Sequence, residues 1–360
     1  MDTKEYQSHL ATELSDRLEV CQLPPGGEDD WDRFVHASPA GTFFHLSGWK
    51  NVVEKVLGHR PYYLLARRGR EISGVFPISC VRNKLFGDCL VSSPLAVYGG
   101  ICASDEDSYQ SLLKAGSELA DRLGVRYLEM RNRAELYPTT LPLRDLYVTF
   151  VQDLTPGPDR LFKQLSWNTR HKLKKCLKSS LEWSEDVALP EFYEVYARNV
   201  HRLGTPVFSQ NLFVQLQKTF PGCCRLFGVR KAGRLIAGVL CFYFKDQVLP
   251  YYAGSLDEFF KEYPNNFMYW KLIAQSCNEG YRCFDFGRSK RGTGSFAFKS
   301  GWSMQMIDLP YRYHLVRAKE VPHLSPIDSK FRLPVSMWQK LPFPITKVLG
   351  PRVIKLIPSV

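Results

Sequence analysis

No stretch of this sequence comes near the roughly 18 consecutive apolar residues that a membrane-spanning helix requires. No secretory leader opens it either: MDTKEYQSHL is polar and acidic and lacks an apolar signal core. Ten cysteines are present without a C-x-x-C pair; Cys223 and Cys224 are adjacent, and Cys80, Cys241, Cys277 and Cys283 stand singly in apolar runs. These absences predict a cytoplasmic protein with reduced, buried thiols rather than a disulfide framework. There is no H-E-x-x-H and no G-x-S-x-G nucleophile elbow, and the eight histidines do not fall at ligand spacing, so no metal site is expected. His45 and His59 are isolated and read as structural hydrogen-bonding residues. Acid is scarce too. With 36 acidic against 48 basic residues the chain carries +12, a field that favours anionic partners such as nucleic acid, phosphorylated intermediates or an anionic membrane face. Hydrophobic content of 44% and charged content of 23% are those of a globular protein, and 360 residues suffice for about two domains.

An internal duplication supplies those two domains. Residues 65–79, LARRGREISGVFPIS, align with 229–243, VRKAGRLIAGVLCFY, so that Gly69-Arg70 falls on Gly233-Arg234 and Gly74-Val75 on Gly238-Val239. Each reads as a β-hairpin with a basic-glycine turn. Tyr98-Gly99-Gly100 and Tyr252-Ala253-Gly254 then end corresponding strands. An amphipathic helix follows in each half, with stripes Leu112, Leu113, Leu119, Ala120, Leu123 and Phe267, Trp270, Ile273, Ala274, Cys277. Gly124 and Gly280 stop these helices. Short strands come next, VRYLEMRN (125–132) and YRCFDFGRS (281–289), in which Arg126 matches Arg282 and Glu129 matches Asp285. Hairpin, strand, helix, strand is the pattern of a mixed α/β module. Between the copies, LFKQLSWNTRHKLKKCLKSSL (161–181) carries six lysines and arginines and no acid, and reads as a helix with a basic, phosphate-facing side.

The stretch FDFGRSKRGTGSFAFKSGW (284–302) has the letters of two nucleotide motifs and the chemistry of neither. Asp285-Phe286-Gly287 lacks an upstream H-R-D loop, and Gly287 to Gly292 has phosphate-loop spacing but Thr293-Gly294 where Lys-Ser/Thr is needed. What remains is a strand end, a glycine-rich loop ringed by Arg288, Lys290, Arg291 and Lys299, and a lysine held between Phe296, Phe298 and Trp302. A lysine so restricted and partly desolvated suits the stabilisation of developing negative charge.

With these motifs the chain resembles the Fem peptidyltransferase (FemAB) family, and within it the FemAB-like proteins associated with PEP-CTERM/exosortase systems and exopolysaccharide gene clusters. The resemblance runs through TFFHLSGWKNVVEKVLGHRPYYLLA (42–66), VYGG (97–100), YLEMRN (127–132), RLGTPVFS (202–209), LPYYAG (249–254), NNFMYW (265–270) and DFGRSKRGTG (285–294). It implies an α/β (mixed α+β) fold of two tandem GNAT-like acyltransferase modules, each a mixed, mostly antiparallel sheet flanked by helices. The expected boundaries are an N-terminal segment 1–28, module 1 at 29–155, module 2 at 156–318 and a basic tail at 319–360.

The resemblance also implies acyl transfer to an amine, with aminoacyl-tRNA as donor in the Fem branch and a lipid-linked or nucleotide-linked wall precursor as acceptor. No bound cofactor is expected. Carried over by motif, Lys299 supports the transition state, Arg170 and Lys172 lie in the basic helical segment, and Trp49 lies in an N-terminal substrate-cleft motif with Lys50 beside it. The family lysine four residues after that tryptophan is Val53 here, which argues against a nucleotide-linked acceptor. Asp285 is expected to take or orient the amine proton, Arg288 to assist Lys299, and Tyr252, Asn266 and Arg291 to contact substrate. The loops 99–111 and 253–266 lack the [Q/R]-x-x-G-x-[G/A] turn that holds coenzyme A pyrophosphate and carry acids, which weakens an acyl-CoA donor. Two alternatives stay open: an acyl-CoA-dependent N-acyltransferase acting on an amino sugar, and a non-catalytic assembly subunit of the polysaccharide machinery. The last thirty residues contain Arg332, Lys340, Lys347, Arg352 and Lys355, no acid, and the apolar anchors Trp338, Phe343, Leu349 and Ile354. They read either as a tail packed on module 2 or as a peripheral attachment to the anionic inner leaflet.

Overall fold

The duplicated hairpins are the centre of the architecture in the computed structural model, which describes residues 17–83, 87–322 and 329–356, with backbone alone at 329–333 and 356. Residues 1–16 of the expected N-terminal segment, and 323–328 and 357–360 of the expected tail, lie outside the described residues. The strands are β1 (Leu18–Gln22), β2 (Arg60–Arg68), β3 (Glu71–Val81), β4 (Cys89–Ser92), β5 (Cys102–Ala103), β6 (Tyr127–Arg131), β7 (Leu143–Asp153), β8 (Glu182–Ser184), β9 (Cys224–Lys231), β10 (Arg234–Phe244), β11 (Gln247–Ser255), β12 (Cys283–Asp285), β13 (Ser289–Lys290) and β14 (Gln305–Leu315). The helices are α1 (Glu28–Ala37), α2 (Gly48–Leu57), α3 (Glu106–Leu123), α4 (Pro158–Gln164), α5 (Trp167–Cys176), α6 (Leu189–Arg202), α7 (Gln210–Thr219), α8 (Pro264–Asn278), α9 (Gly294–Ser300), α10 (Ser329–Lys340) and α11 (Phe343–Val353). Two compact units result. The first takes the described residues through Asp145 together with Leu309–Pro322; the second takes Leu146–Asp308 and the described residues from Ser329 to Leu356. The divisions fall ten residues before the expected 155/156 boundary and return Leu309–Pro322 to the first unit, because Tyr311–Leu315 of β14 pair with β6.

In the first unit the strands run in the order β1-β2-β3-β4-β6-β14, with β5 beside β3. All pairings are antiparallel except β4 with β6, which meet in parallel only at Leu90↔Leu128 and Val91↔Glu129. Helix α3 starts where Asp105 accepts the Ser108 amide at 2.8 Å, has Glu106 and Asp107 in its first turn, and stops at Gly124 with φ 59°. It lies close against β3: a Cβ at Gly116 would stand 2.7 Å from the Phe76 ring. Leu112, Leu119 and Ala120 of the expected stripe join Phe76, Ile78, Leu90 and Leu128 in the core, while Leu123 turns outward.

In the second unit the order is β7-β12-β11-β10-β9-β8, with β13 beside β7. Every residue of β10 after Arg234 is buried, as a strand covered on both faces demands. Alternation assigns the cover. Gly238 lies against Phe192 of α6, whereas Val239 and Cys241 share a core with Phe267 and Ile273 of α8, and with Leu161 of α4 and Leu173 of α5. Helix α8 ends at Gly280 with φ 86°, as its sequence requires. Helices α10 and α11 pack on this unit: Gln339 donates to the Arg202 carbonyl at 2.8 Å, Lys347 pairs with Glu194 at 2.6 Å, and Thr346 meets His201 Nδ1 at 2.9 Å. All ten cysteines are free, and burial pushes the Cys89 and Cys224 thiols up to about 12, which leaves them unreactive.

Candidate functional site

Strands β11 and β12 run in parallel for two residues, at Gln247↔Cys283 and Val248↔Phe284, and then part company. β11 continues to Ser255, while the chain after Asp285 turns at Gly287, whose φ of 69° suits glycine. Where they part, three of the expected site residues, Asp285, Arg288 and Lys299, meet, and a fourth, Tyr252, lies further along β11. Asp285 has no exposed surface; its carboxylate accepts the Gly287 amide at 2.8 Å and the Thr149 hydroxyl in a short hydrogen bond. Lys299, on α9, donates to the carbonyls of Phe286, Gly287 and Arg288 at 2.7, 2.9 and 3.3 Å. Helix α9 itself is started by Thr293, whose hydroxyl accepts the Phe296 amide. The lysine therefore caps the turn that Asp285 braces from the other side. Burial drives its ammonium down to about 8, against the pull of the Asp285 carboxylate and with the push of Arg288.

Arg288 lies over the Tyr147 ring at 4.9 Å, and its charge reaches the Tyr252 hydroxyl. Tyr252 sits on β11 among Tyr196, Phe208, Phe213 and Tyr251, 7% exposed. Burial holds its phenol far above the ordinary range, so it is a proton donor at any physiological pH. Its hydroxyl has no hydrogen-bond partner among the described residues. A buried hydroxyl without a partner is costly, and a ligand oxygen would relieve it.

The remaining expected residues are placed elsewhere. Arg170 and Lys172 lie on α5, which Ser166 and Thr169 tie to the Gly301 carbonyl at 2.8 and 2.6 Å, two residues beyond Lys299. Arg170 donates to the Lys163 carbonyl at 3.2 Å, and Lys172 is exposed. Asn266 is buried in the first turn of α8, and Arg291 pairs with Asp308. Trp49 and Lys50 belong to the first unit. Trp49 is a correction to the sequence reading: it has no exposed surface, donates to the Pro94 carbonyl at 2.8 Å and packs edge-on against Phe43 and Phe44. It is a core residue, and Lys50 pairs with Glu28 at 3.1 Å.

Sequence reasoning missed three features. Thr149 and Tyr147 on β7 brace the turn from a strand far away in sequence. Lys175 joins Lys172 above the ring of Tyr263, the residue just before α8, at 5.5 and 6.0 Å. Trp167 is 70% exposed and stacks on His171 at 5.3 Å and 16°. With exposed Lys174 on α5 and exposed Lys178 in the turn after it, it makes an aromatic-basic stripe, and the one readable signal was a tryptophan among basic residues.

The first unit shows how the same position can be closed. Gly287 aligns with Arg131, which is wholly buried. Its guanidinium donates to Glu129 at 2.8 Å and spans to the Ala96 carbonyl at 2.8 Å, in the segment that follows β4. Where the second unit has a glycine turn, the first has an arginine plug.

Residues 167–300 match the family described as the acetyltransferase (GNAT) domain. The match spans the strand-helix-strand core and the Lys299 turn of the second unit. Its chemical class is acyl transfer. Solved structures extend the fold likeness along the chain. FemX resembles it with a TM-score of 0.65 at 15% identity, over 83% of this chain and 98% of that one. L-PGS from Bacillus licheniformis does so with 0.53 at 14%, over 92% and 97%. A tandem GNAT protein from the clavulanic acid biosynthesis pathway gives 0.52 at 9%, over 84% and 100%. At these identities the likeness is one of fold, a tandem GNAT and Fem-like fold. No curated protein matches the sequence.

Proposed function

We propose that the second GNAT unit transfers an acyl group, drawn as an aminoacyl group from a charged tRNA, to an amine on a cell-envelope or exopolysaccharide precursor. One observation carries the reading: at the turn after β12 two cations gather, Arg288 and the Lys299 that donates to its carbonyl, and the Arg288 charge reaches the unpartnered buried hydroxyl of Tyr252. That arrangement suits a tetrahedral oxyanion in a desolvated setting. The acceptor nitrogen forms the new C–N bond to the acyl carbon, the donor ester C–O bond breaks, the amine gives up one proton and the leaving oxygen takes one. Tyr252 donates to the oxyanion with the Arg288 charge beside it, and Lys299 holds the turn that carries Arg288. Asp285, enclosed and committed to Thr149 and Gly287, is a positioning residue that orients this turn rather than a base reached by the acceptor.

The surroundings favour a nucleic-acid donor over coenzyme A. The short 3-10 turn Asp257–Glu262 ahead of α8 carries three carboxylates, of which Glu258 and Glu262 pair with Arg234 and Lys231, and the loop lacks the glycine turn that holds a pyrophosphate. By contrast, the Trp167-His171 stack with Arg170, Lys172, Lys174 and Lys178 combines base-stacking surface with phosphate-binding charge. A structure named for a putative lysylphosphatidylglycerol synthetase, similar at a TM-score of 0.54 and 12% identity, is consistent with transfer of an amino acid to a lipid-borne acceptor. The exopolysaccharide setting, with PEP-CTERM/exosortase partners, rests on motif resemblance. The second reading, an acyl-CoA-dependent N-acyltransferase, has the tandem GNAT likeness behind it.

The test offers charged tRNA and acetyl-CoA separately, with an amine acceptor, and follows product by mass spectrometry. Transfer from charged tRNA, with binding that weakens in salt and is untouched by coenzyme A, is expected. Transfer from acetyl-CoA alone overturns the donor assignment, and transfer from neither overturns the reading.

A further inference from the structure

We infer that the outer face of α10 and α11 docks on an anionic lipid bilayer. Helix α11 is divided cleanly. Its inner face carries Thr346, Lys347 and Gly350, which meet His201, Glu194 and Val207 of the second unit. Its outer face carries Ile345, Val348, Leu349 and Arg352 at helical spacing, all exposed, Val348 by 66%. On α10 and just beyond it, Val335 and Gln339 turn inward towards Gly204 and Arg202, while Met337, 63% exposed, Lys340 and Leu341 turn outward. The sequence reading placed Trp338, Phe343 and Ile354 among the tail's anchors. The structure turns them towards the protein: Phe343 packs on His201 and Arg198, and Ile354 is buried. The inner face is therefore already packed against the unit, and the outer apolar residues are surplus to that packing.

Charge selects the occupant. Lys340, Arg352 and Lys355 are exposed, and no aspartate or glutamate occurs from 329 to 356. A second copy laid on this face about a two-fold axis would set these cations against their own images, whereas an anionic headgroup layer would pair with them. Pro334, Pro342, Pro344 and Pro351 keep the segments short, and no helix among the described residues is long and apolar enough to cross a membrane. Such a surface lies in the interface plane with apolar side chains among the acyl boundaries.

The experiment is cosedimentation of the full chain with phosphatidylcholine vesicles, with and without phosphatidylglycerol, at low and high salt. Binding to the anionic vesicles is expected, weakened but not abolished by salt because the apolar part is not screened. Ile345→Asp with Val348→Asp should lower partitioning at least about tenfold at an unchanged melting temperature, since both side chains are exposed. Lys340→Gln with Arg352→Gln should lower it about fivefold per cation on anionic vesicles and leave the residual binding to neutral ones unaltered. No binding of the unaltered chain to anionic vesicles overturns the inference, as does binding indifferent to both pairs of variants. A concentration-dependent dimer that the aspartate pair dissolves, without vesicle binding, assigns the face to a second copy instead. Acyl transfer to a soluble acceptor is independent of all these outcomes.

Discussion

Lys299 answers three carbonyls with one ammonium, and burial leaves that ammonium with a pKa of about 8 rather than 10.5. Two consequences have opposite signs. Activity that depends on the ammonium falls as pH rises through about 8. The group's contribution to stability moves the other way: between about 8 and 10.5 the unfolded chain still holds a proton that the folded chain has released, so folding gains as pH rises across that window. A pH–rate profile should show a falling limb near 8 with no matching loss of melting temperature from this group. Lys299→Met should cost on the order of 100-fold in kcat, and a limb that persists unchanged in it would remove Lys299 from the mechanism. Tyr252 offers a second pair of opposed signs. Tyr252→Phe deletes a buried hydroxyl that has no partner, so melting temperature should hold or rise while transfer slows roughly 100-fold. A variant equally slow and destabilised would mark a packing role only.

At the scale of elements, much was legible. The hairpins show alternating β-branched and aromatic residues around a Gly-Arg turn, and φ is positive at Gly69 and Gly233, as those turns require. The helices declare their ends at Gly124 and Gly280 for the same backbone reason. What burial decides was not legible. Trp49 precedes a lysine and read as cleft, but the choice between cleft and core is made by Phe43, Phe44 and Pro94, which only folding brings near it. Asp285 read as taking or orienting the amine proton, and the hydroxyl that engages its carboxylate, Thr149, stands 136 positions away. Leu309–Pro322 belong with the first unit through register with β6, which no periodicity reports. The turn between β12 and β13 tests how far such geometry matters. Gly287→Ala forces a side chain into φ 69° and should cost about 1–2 kcal/mol in denaturant unfolding, with a larger relative loss of transfer because the Lys299 acceptors shift. Equal losses in both would make the turn a structural element alone.

For the molecule as a whole, a net charge of +12 predicts association that responds to salt, and α5 concentrates much of that charge in one place. The logarithm of tRNA affinity should fall linearly with the logarithm of salt, and Lys174→Gln with Lys178→Gln should reduce the slope by about 2. A slope unaffected by that pair would move the nucleic acid off α5. The arginine plug of the first unit bears on a different quantity, stoichiometry. Duplication doubled the architecture, but the position that is a glycine turn at Gly287 in one copy holds the buried, carbonyl-bound side chain of Arg131 in the other. A calorimetric titration with donor should therefore reach equivalence at one molecule per chain, and a value of two would show that the plug gives way. At a ratio of one, exchanges of exposed side chains confined to the first unit should leave transfer intact.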